Sequence, residues 1–98
     1  MIRKTYAKDG NSCRVTFELP PGTSAQAASL CGESNGWDKT AHAMKRRKDG
    51  SFVITLPFKP GNQYRFRYVL DGERWENDPA ADGSVANPFG SEDSLLQV

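Results

Sequence analysis

The sequence predicts an all-β fold, either a sandwich or a barrel, from three observations. Residues 64–70 alternate apolar and polar side chains with the two-residue period of a strand buried on one face. Clusters of Gly, Pro, Asn and Asp separate this segment and several similar ones at short intervals. Helix patterns are almost absent, because the nearest candidate, residues 23–30, is short and follows a Pro-Pro-Gly loop.

The predicted strands follow one another without a repeat or linker, so residues 1–98 are expected to form a single domain with its core in about residues 12–98. Asp49-Gly50 predicts a hairpin turn between two of the strands. Residues 77–90, which contain Pro79 and Pro88, are predicted to be an ordered loop. The expected strands are residues 2–6, 13–19, a segment within 26–31, 42–47, 52–56, 63–70, a return strand carrying Trp75, and 94–98.

Composition excludes several classes of partner. Lys and Arg outnumber Asp and Glu by 13 to 12, a balance that gives no reason to expect nucleic acid or an anionic membrane. No apolar run approaches the roughly 18 residues of a membrane span, and residues 1–4 lack the apolar segment of a signal peptide. A cytoplasmic location is therefore the default expectation.

Cys13 and Cys31 lie in apolar runs and are expected to be buried free thiols.

The sequence gives no indication of an enzyme, a metal site or a cofactor. His42 lies in a predicted strand and is expected to pack or face solvent, while the acidic residues are scattered over turns. One histidine and two cysteines at these spacings do not make a zinc site. No phosphate-binding loop or dinucleotide fingerprint is present. The basic residues 45–48 precede Asp49 and are interpreted as a solvated hairpin end rather than a nucleic-acid patch.

The two tryptophans are the best candidates for function. Trp37 follows Asn35-Gly36 in a polar loop, and Trp75 lies between two charged residues near a strand that carries arginines. Either ring can belong to the core or to a ligand site. A flat aromatic ring with polar groups beside it suits a sugar, because the C–H face of a pyranose stacks on the ring while its hydroxyls form hydrogen bonds at the edge.

Five motifs in a fixed order resemble the family 48 carbohydrate-binding modules. The motifs are Gly32-Glu33-Ser34-Asn35-Gly36-Trp37-Asp38, Asp49-Gly50-Ser51-Phe52, residues 64–72 followed by Trp75, Asn77-Asp78-Pro79 and Asn87-Pro88-Phe89-Gly90. The family comprises early-set, immunoglobulin-like antiparallel β-sandwiches of glycogen branching and isoamylase-type enzymes, and the glycogen-binding domain of the AMP-activated protein kinase β subunit. The resemblance is greatest to small stand-alone bacterial members, and it implies the early-set fold.

The resemblance also implies carbohydrate-binding residues. Trp37 and Trp75 match the two tryptophans that hold an α-1,4-linked glucan in the kinase-type domains, and Arg67 falls where those domains have a lysine. Phe89 falls at a leucine that projects into the ligand, and Asp93 at an asparagine of the last strand. Ser34 replaces the usual phenylalanine.

The expected function is therefore non-catalytic binding of α-glucan, namely glycogen, starch or maltodextrin. The alternative is an interaction module that docks onto a glucan-metabolising enzyme without touching sugar. The two differ in where the Trp75 ring points. A two-residue turn at Asp71-Gly72 would pair Trp75 with Tyr68 and send it to the core. We predict instead a bulged three-residue loop, Leu70-Asp71-Gly72, that sets Trp75 opposite Arg67.

Overall fold

The computed structural model describes residues 2–88 and 90–98. In those residues the chain forms nine β-strands and one short 3-10 turn, Glu33–Asn35. The strands are β1 (Ile2–Tyr6), β2 (Cys13–Leu19), β3 (Ala28–Gly32), β4 (Lys45–Arg46), β5 (Phe52–Phe58), β6 (Gln63–Leu70), β7 (Arg74–Glu76), β8 (Gly83–Ala86) and β9 (Glu92–Gln97).

The strands pair in two antiparallel sheets, and the predicted all-β sandwich is confirmed. One sheet has the order β1-β2-β5-β4, and the other has the order β3-β6-β9-β8. Strand β6 organises the second sheet, because it pairs with β3 and β9 and its C-terminal end also pairs with β7. The hairpin β6-β7 is therefore an integral part of this sheet.

The core lies between the two sheets and follows the predicted alternation. In β6, Phe66, Tyr68 and Leu70 point inward and are buried. Phe17 of the first sheet meets Phe66 of the second edge to face, with 5.2 Å between ring centroids. Both cysteines are buried free thiols, as expected. The inner face of β6 thus anchors the strand, and its outer face is left to carry Arg65, Arg67 and Val69.

Two predicted segments differ from the structure. The expected loop of residues 77–90 contains a strand, β8, which pairs with β9. The expected strand of residues 42–47 divides between the sheets: Ala43 bridges Ser29 of β3, whereas Lys45 and Arg46 pair with β5. Both differences arise from pairing with strands outside the segment, and the pairing itself is not visible in local sequence.

Among the described residues, no helix has the length and apolar character needed to cross a membrane. The basic end of the β4-β5 hairpin is exposed at Lys45, Arg46 and Lys48, while Arg47 forms a 2.8 Å ion pair with Glu18 of β2. That ion pair ties the hairpin end to the neighbouring strand.

Candidate functional site

The loop that carries Trp37 is held by the side chain of Asn35. Its carbonyl oxygen accepts the backbone N–H of Gly32 at 3.1 Å, and its amide donates to the carbonyl of Leu30 at 2.9 Å. The same amide nitrogen lies 3.0 Å from Nδ1 of His42. One side chain therefore forms hydrogen bonds with the end of β3 and with residues on both sides of the loop. His42 is half-buried, and its ring contacts the Asn35 amide.

The backbone turns sharply at Gly36 and Trp37. Both residues are left-handed, with φ of 66° at Gly36 and 62° at Trp37. Glycine adopts this conformation freely, but a bulky side chain does so at a cost of roughly 1–3 kcal/mol. The N–H of Trp37 donates to the carbonyl of Gly32 at 2.9 Å, which fixes the turn. The Trp37 backbone is therefore strained, and its indole is half-buried at this point.

Gly32 is required by the same local geometry. A Cβ at this position would overlap the carbonyl oxygen of Arg65 on β6. The absence of a side chain lets the start of the loop lie against β6, where the Glu33 carboxylate accepts the backbone N–H of Arg65 at 2.7 Å. The Trp37 loop is therefore docked on the outer face of β6.

The β6-β7 hairpin has a different register from the one predicted. Leu70 pairs with Arg74 and Val69 with Trp75, so the loop is Asp71-Gly72-Glu73 rather than Leu70-Asp71-Gly72. Asp71 and Gly72 are both left-handed, with φ of 52° and 72°. The N–H of Glu73 donates to the carbonyl of Leu70, which closes the turn over the Asp-Gly pair.

The predicted pairing of Trp75 with Arg67 is therefore wrong, although the loop has three residues. Trp75 lies opposite Val69. Residues directly opposite in an antiparallel pair share a face, and Val69 shares its face with Arg67 two residues away. The indole consequently lies on the arginine face, outside the core. The alternative pairing of Trp75 with Tyr68 does not occur, because Tyr68 pairs with Glu76.

These elements enclose a groove on the outer face of the second sheet, with a volume of about 540 Å³. The ring centroids of Trp37 and Trp75 are 6.5 Å apart, and their planes are inclined by 51°. The guanidinium carbon of Arg67 lies 5.7 Å from the centroid of the Trp75 ring. The groove is lined by Glu33, Trp37, Arg65, Arg67, Trp75, Asn87, Pro88 and Asp93.

Hydrogen-bonding groups stand beside the two rings. Nε of Arg67 is buried and has no hydrogen-bond partner among the described residues. Asp93 is only 6% exposed, and its carboxylate accepts a hydrogen bond from the Asn87 amide at 3.2 Å. The arrangement can stack planar apolar surfaces on the rings while donors and acceptors bind polar groups at their edges.

The structure brings together four of the five residues expected to bind carbohydrate: Trp37, Arg67, Trp75 and Asp93. The fifth, Phe89, lies outside the described residues. Sequence reasoning did not assign a role to Glu33, Arg65, Asn87 or Pro88, which also line the groove. Arg65 could have been found, because strand alternation places it on the same face as Arg67.

The base of the Trp37 loop holds a carboxylate and a thiol. The pKa of Asp38 is lowered chiefly by hydrogen bonds from the backbone N–H and the hydroxyl of Thr40. Burial raises the pKa of the Cys31 thiol, with the Asp38 charge as a further cause, and this thiol donates to the carbonyl of Asp38. Within residues 2–88 and 90–98, no three His, Cys, Asp or Glu side chains are grouped to hold a metal ion. The hydrogen bonds of Asp38 with Thr40 and Cys31 therefore stabilise the base of the Trp37 loop.

Comparison with known families matches this chain to one of them. The sequence model described as carbohydrate-binding module 48 (isoamylase N-terminal domain) matches residues 22–81, more than half of the chain. The matched segment contains both tryptophans and Arg67, and it ends before Asp93. No curated protein matches the chain at a significant level.

Proposed function

The chain belongs to the carbohydrate-binding module 48 family, and on this premise we propose that it binds α-1,4-linked glucan without catalysing a reaction. The family is a carbohydrate-binding module rather than a catalytic domain. Glycogen, starch and maltodextrin are the polymers that contain such chains. Binding is proposed to occur in the groove lined by Trp37 and Trp75.

One observation carries the proposal: the two indole rings lie side by side in the groove at an angle of 51°. Each ring can stack on one glucose unit. Successive units of an α-1,4-linked chain are turned relative to one another, so the chain curves. Two inclined platforms suit such a curve, whereas the flat ribbon of a β-1,4-linked chain suits platforms that share a plane.

The polar residues have complementary roles in the proposal. Arg67 lines the groove, and its guanidinium donates hydrogen bonds to sugar hydroxyls beside the Trp75 ring. The Asp93 carboxylate, held by Asn87, accepts hydrogen bonds from hydroxyls. Phe89 is proposed as a further contact from the family resemblance alone. An open groove of this kind predicts a Kd of about 1 mM to 1 μM, or roughly −4 to −8 kcal/mol.

Titration with maltoheptaose tests the proposal. The sugar should shift the indole N–H resonances of both tryptophans, and cellohexaose should have a much smaller effect. Trp37→Ala and Trp75→Ala should each weaken maltoheptaose binding roughly thirtyfold, equivalent to about 2 kcal/mol. Tyr6→Ala is the matched control, because Tyr6 is an exposed aromatic residue on β1 of the other sheet.

A negative result also has a defined meaning. If both indole resonances stay unchanged at millimolar maltoheptaose, the glucan proposal fails. A module that docks onto a glucan-metabolising enzyme without touching sugar would give that result.

A further inference from the structure

Lys39 makes a contact that the proposed sugar contacts leave unexplained. It follows Trp37 by two residues, yet its ammonium group lies 5.5 Å from the centroid of the Trp75 ring. The same ammonium donates to the carbonyl of Gly72 in the β6-β7 loop, at 3.4 Å. Lys39 therefore connects the loop that carries Trp37 to the hairpin that carries Trp75.

The two cations around Trp75 differ in their position relative to the groove. Arg67 lines the groove, and Lys39 does not. Each cation lies over the Trp75 ring at a distance suited to a cation–π contact. Like charges repel, which favours a Lys39 position away from the Arg67 guanidinium. Lys39 thus contacts the indole without lining the groove.

Trp75 needs such support more than a core residue does. It lies on β7, a strand of only three residues, and its side chain is half-buried. A ring with alternative rotamers must be ordered when a ligand binds, and that ordering weakens binding. A contact that fixes the ring in the free protein removes part of this cost.

We propose that Lys39 is a positioning residue, which holds the Trp75 ring at its angle to Trp37 before glucan arrives. This inference rests on the proposed function for its effect on affinity, but its structural part concerns the free protein. Lys39 acts through Trp75 and does not touch the sugar.

The experiment compares Lys39→Met, Lys39→Arg and a control, Lys48→Met. Lys48 is an exposed lysine at the end of the β4-β5 hairpin, outside the groove lining. Lys39→Met removes the charge and the donor, and it should weaken maltoheptaose binding about fivefold, because the Trp75 side chain must then be ordered when the sugar binds. Lys39→Arg keeps both interactions and should stay within about twofold of the original chain. Lys48→Met should have no effect.

A sugar-free measurement distinguishes positioning from other roles. The chain has two tryptophans, so a Trp37→Phe background leaves Trp75 as the only indole. In that background, Lys39→Met should shift the Trp75 indole N–H resonance and increase quenching of its fluorescence by acrylamide. Lys39→Arg should restore both signals.

Two outcomes overturn the inference, and a third separates it from the proposed function. If affinity falls while the sugar-free Trp75 signals stay unchanged, Lys39 contacts the sugar itself. If affinity rises in Lys39→Met, the lysine obstructs the ring. If the original chain binds no glucan, the proposed function fails, and the sugar-free signals alone decide whether Lys39 positions Trp75.

Discussion

Trp37 and Trp75 line the same groove, but the chain holds them in different ways. Trp37 is fixed by its own loop, through the hydrogen bonds of Asn35 and two consecutive left-handed residues. Trp75 is fixed by strand pairing with Val69 and by side-chain contacts with Arg67 and Lys39. The first position depends mostly on contacts near in sequence, with one bond from Arg65 to Glu33, and the second depends on contacts between distant residues.

This difference predicts how each ring responds to substitution. Changes within residues 30–38 should move Trp37 more than Trp75, whereas a change at Lys39 should act on Trp75. Changes in the β6-β7 loop should affect Trp75 only if they alter the strand register. Four experiments test this separation, and the indole N–H resonances provide a separate signal for each ring.

Asn35→Ala should have the largest effect. It removes three contacts at once and leaves the N–H of Gly32 and the carbonyl of Leu30 without their partner. We expect a loss of about 2–3 kcal/mol in the free energy of unfolding, measured in urea, and weaker maltoheptaose binding. The Trp37 resonance should shift more than the Trp75 resonance, which feels only the displacement of the neighbouring ring.

Asn62→Ala is the control for Asn35→Ala, because the Asn62 amide makes one exposed hydrogen bond to the carbonyl of Lys59. It should change stability by less than about 1 kcal/mol. A Trp75 shift as large as the Trp37 shift in Asn35→Ala would show that the two rings are not held independently.

Replacing the tryptophans should distinguish the backbone strain at Trp37 from the packing of Trp75 against the sheet. Trp75→Ala removes the ring opposite Val69, which is only 1% exposed, and should cost about 1–2 kcal/mol of stability. Trp37→Asn should cost less than about 1 kcal/mol, because asparagine tolerates the left-handed backbone that strains tryptophan. Thermal unfolding checks the order. A larger loss in Trp37→Asn than in Trp75→Ala would contradict the strain at Trp37.

Deletion of Glu73 should have a small effect. The remaining Asp71-Gly72 pair can form a two-residue turn, and Leu70 still pairs with Arg74 and Val69 with Trp75. We expect maltoheptaose affinity within about threefold of the original chain, because Trp75 keeps its face. A complete loss of binding, with Trp75 quenched less by acrylamide, would mean that the deletion sends the indole into the core.

Acidification should have the smallest effect. The hydrogen bonds from Thr40 keep the pKa of Asp38 below its ordinary value, so the ionised carboxylate favours the folded state. This contribution is present above about pH 4 and is lost as the pH falls through the lowered pKa. In the original chain the Trp37 resonance should therefore stay constant down to about pH 4 and move as the pH falls further.

Asp38→Asn should abolish that movement of Trp37. Asp49→Asn is the matched control, because the pKa of Asp49 is also lowered by hydrogen bonds, from Ser51, in a hairpin outside the groove lining. It should reduce the acid dependence of stability and leave the Trp37 resonance as in the original chain. An unchanged pH response of Trp37 in Asp38→Asn would rule out the carboxylate as its cause.

Most of the fold could be predicted from local patterns, and its exceptions have one cause. Alternation in residues 13–19 and 63–70 identified the inner strands correctly, because burial on one face imposes a two-residue period. Strand β8 was missed, since Gly83–Ala86 is short and lies between prolines. Its hydrogen-bond partners are in β9, which follows later in the chain. The sequence predicted a strand at residues 94–98, but nothing in residues 83–86 indicated that they pair with it.

The candidate site divides in the same way. The residue types suited to a sugar, Trp37, Trp75 and Arg67, could be selected from sequence and family motifs. The register of β7 could not, because one residue in the loop decides which face Trp75 occupies, and several loop conformations fit Asp-Gly. The contact between Lys39 and Trp75 joins residues 36 positions apart and has no local pattern.

The sequence by itself therefore determined the strand period, the turns and the supply of aromatic and charged side chains. These properties depend on neighbouring residues, whose spacing along an extended chain fixes which face each occupies. Only the tertiary structure decided that Trp75 pairs with Val69, that its indole lies 6.5 Å from Trp37, and that Arg67 and Lys39 both contact it. Those distances depend on loop conformation and on pairing between distant strands, and the free energy of the whole sandwich selects them.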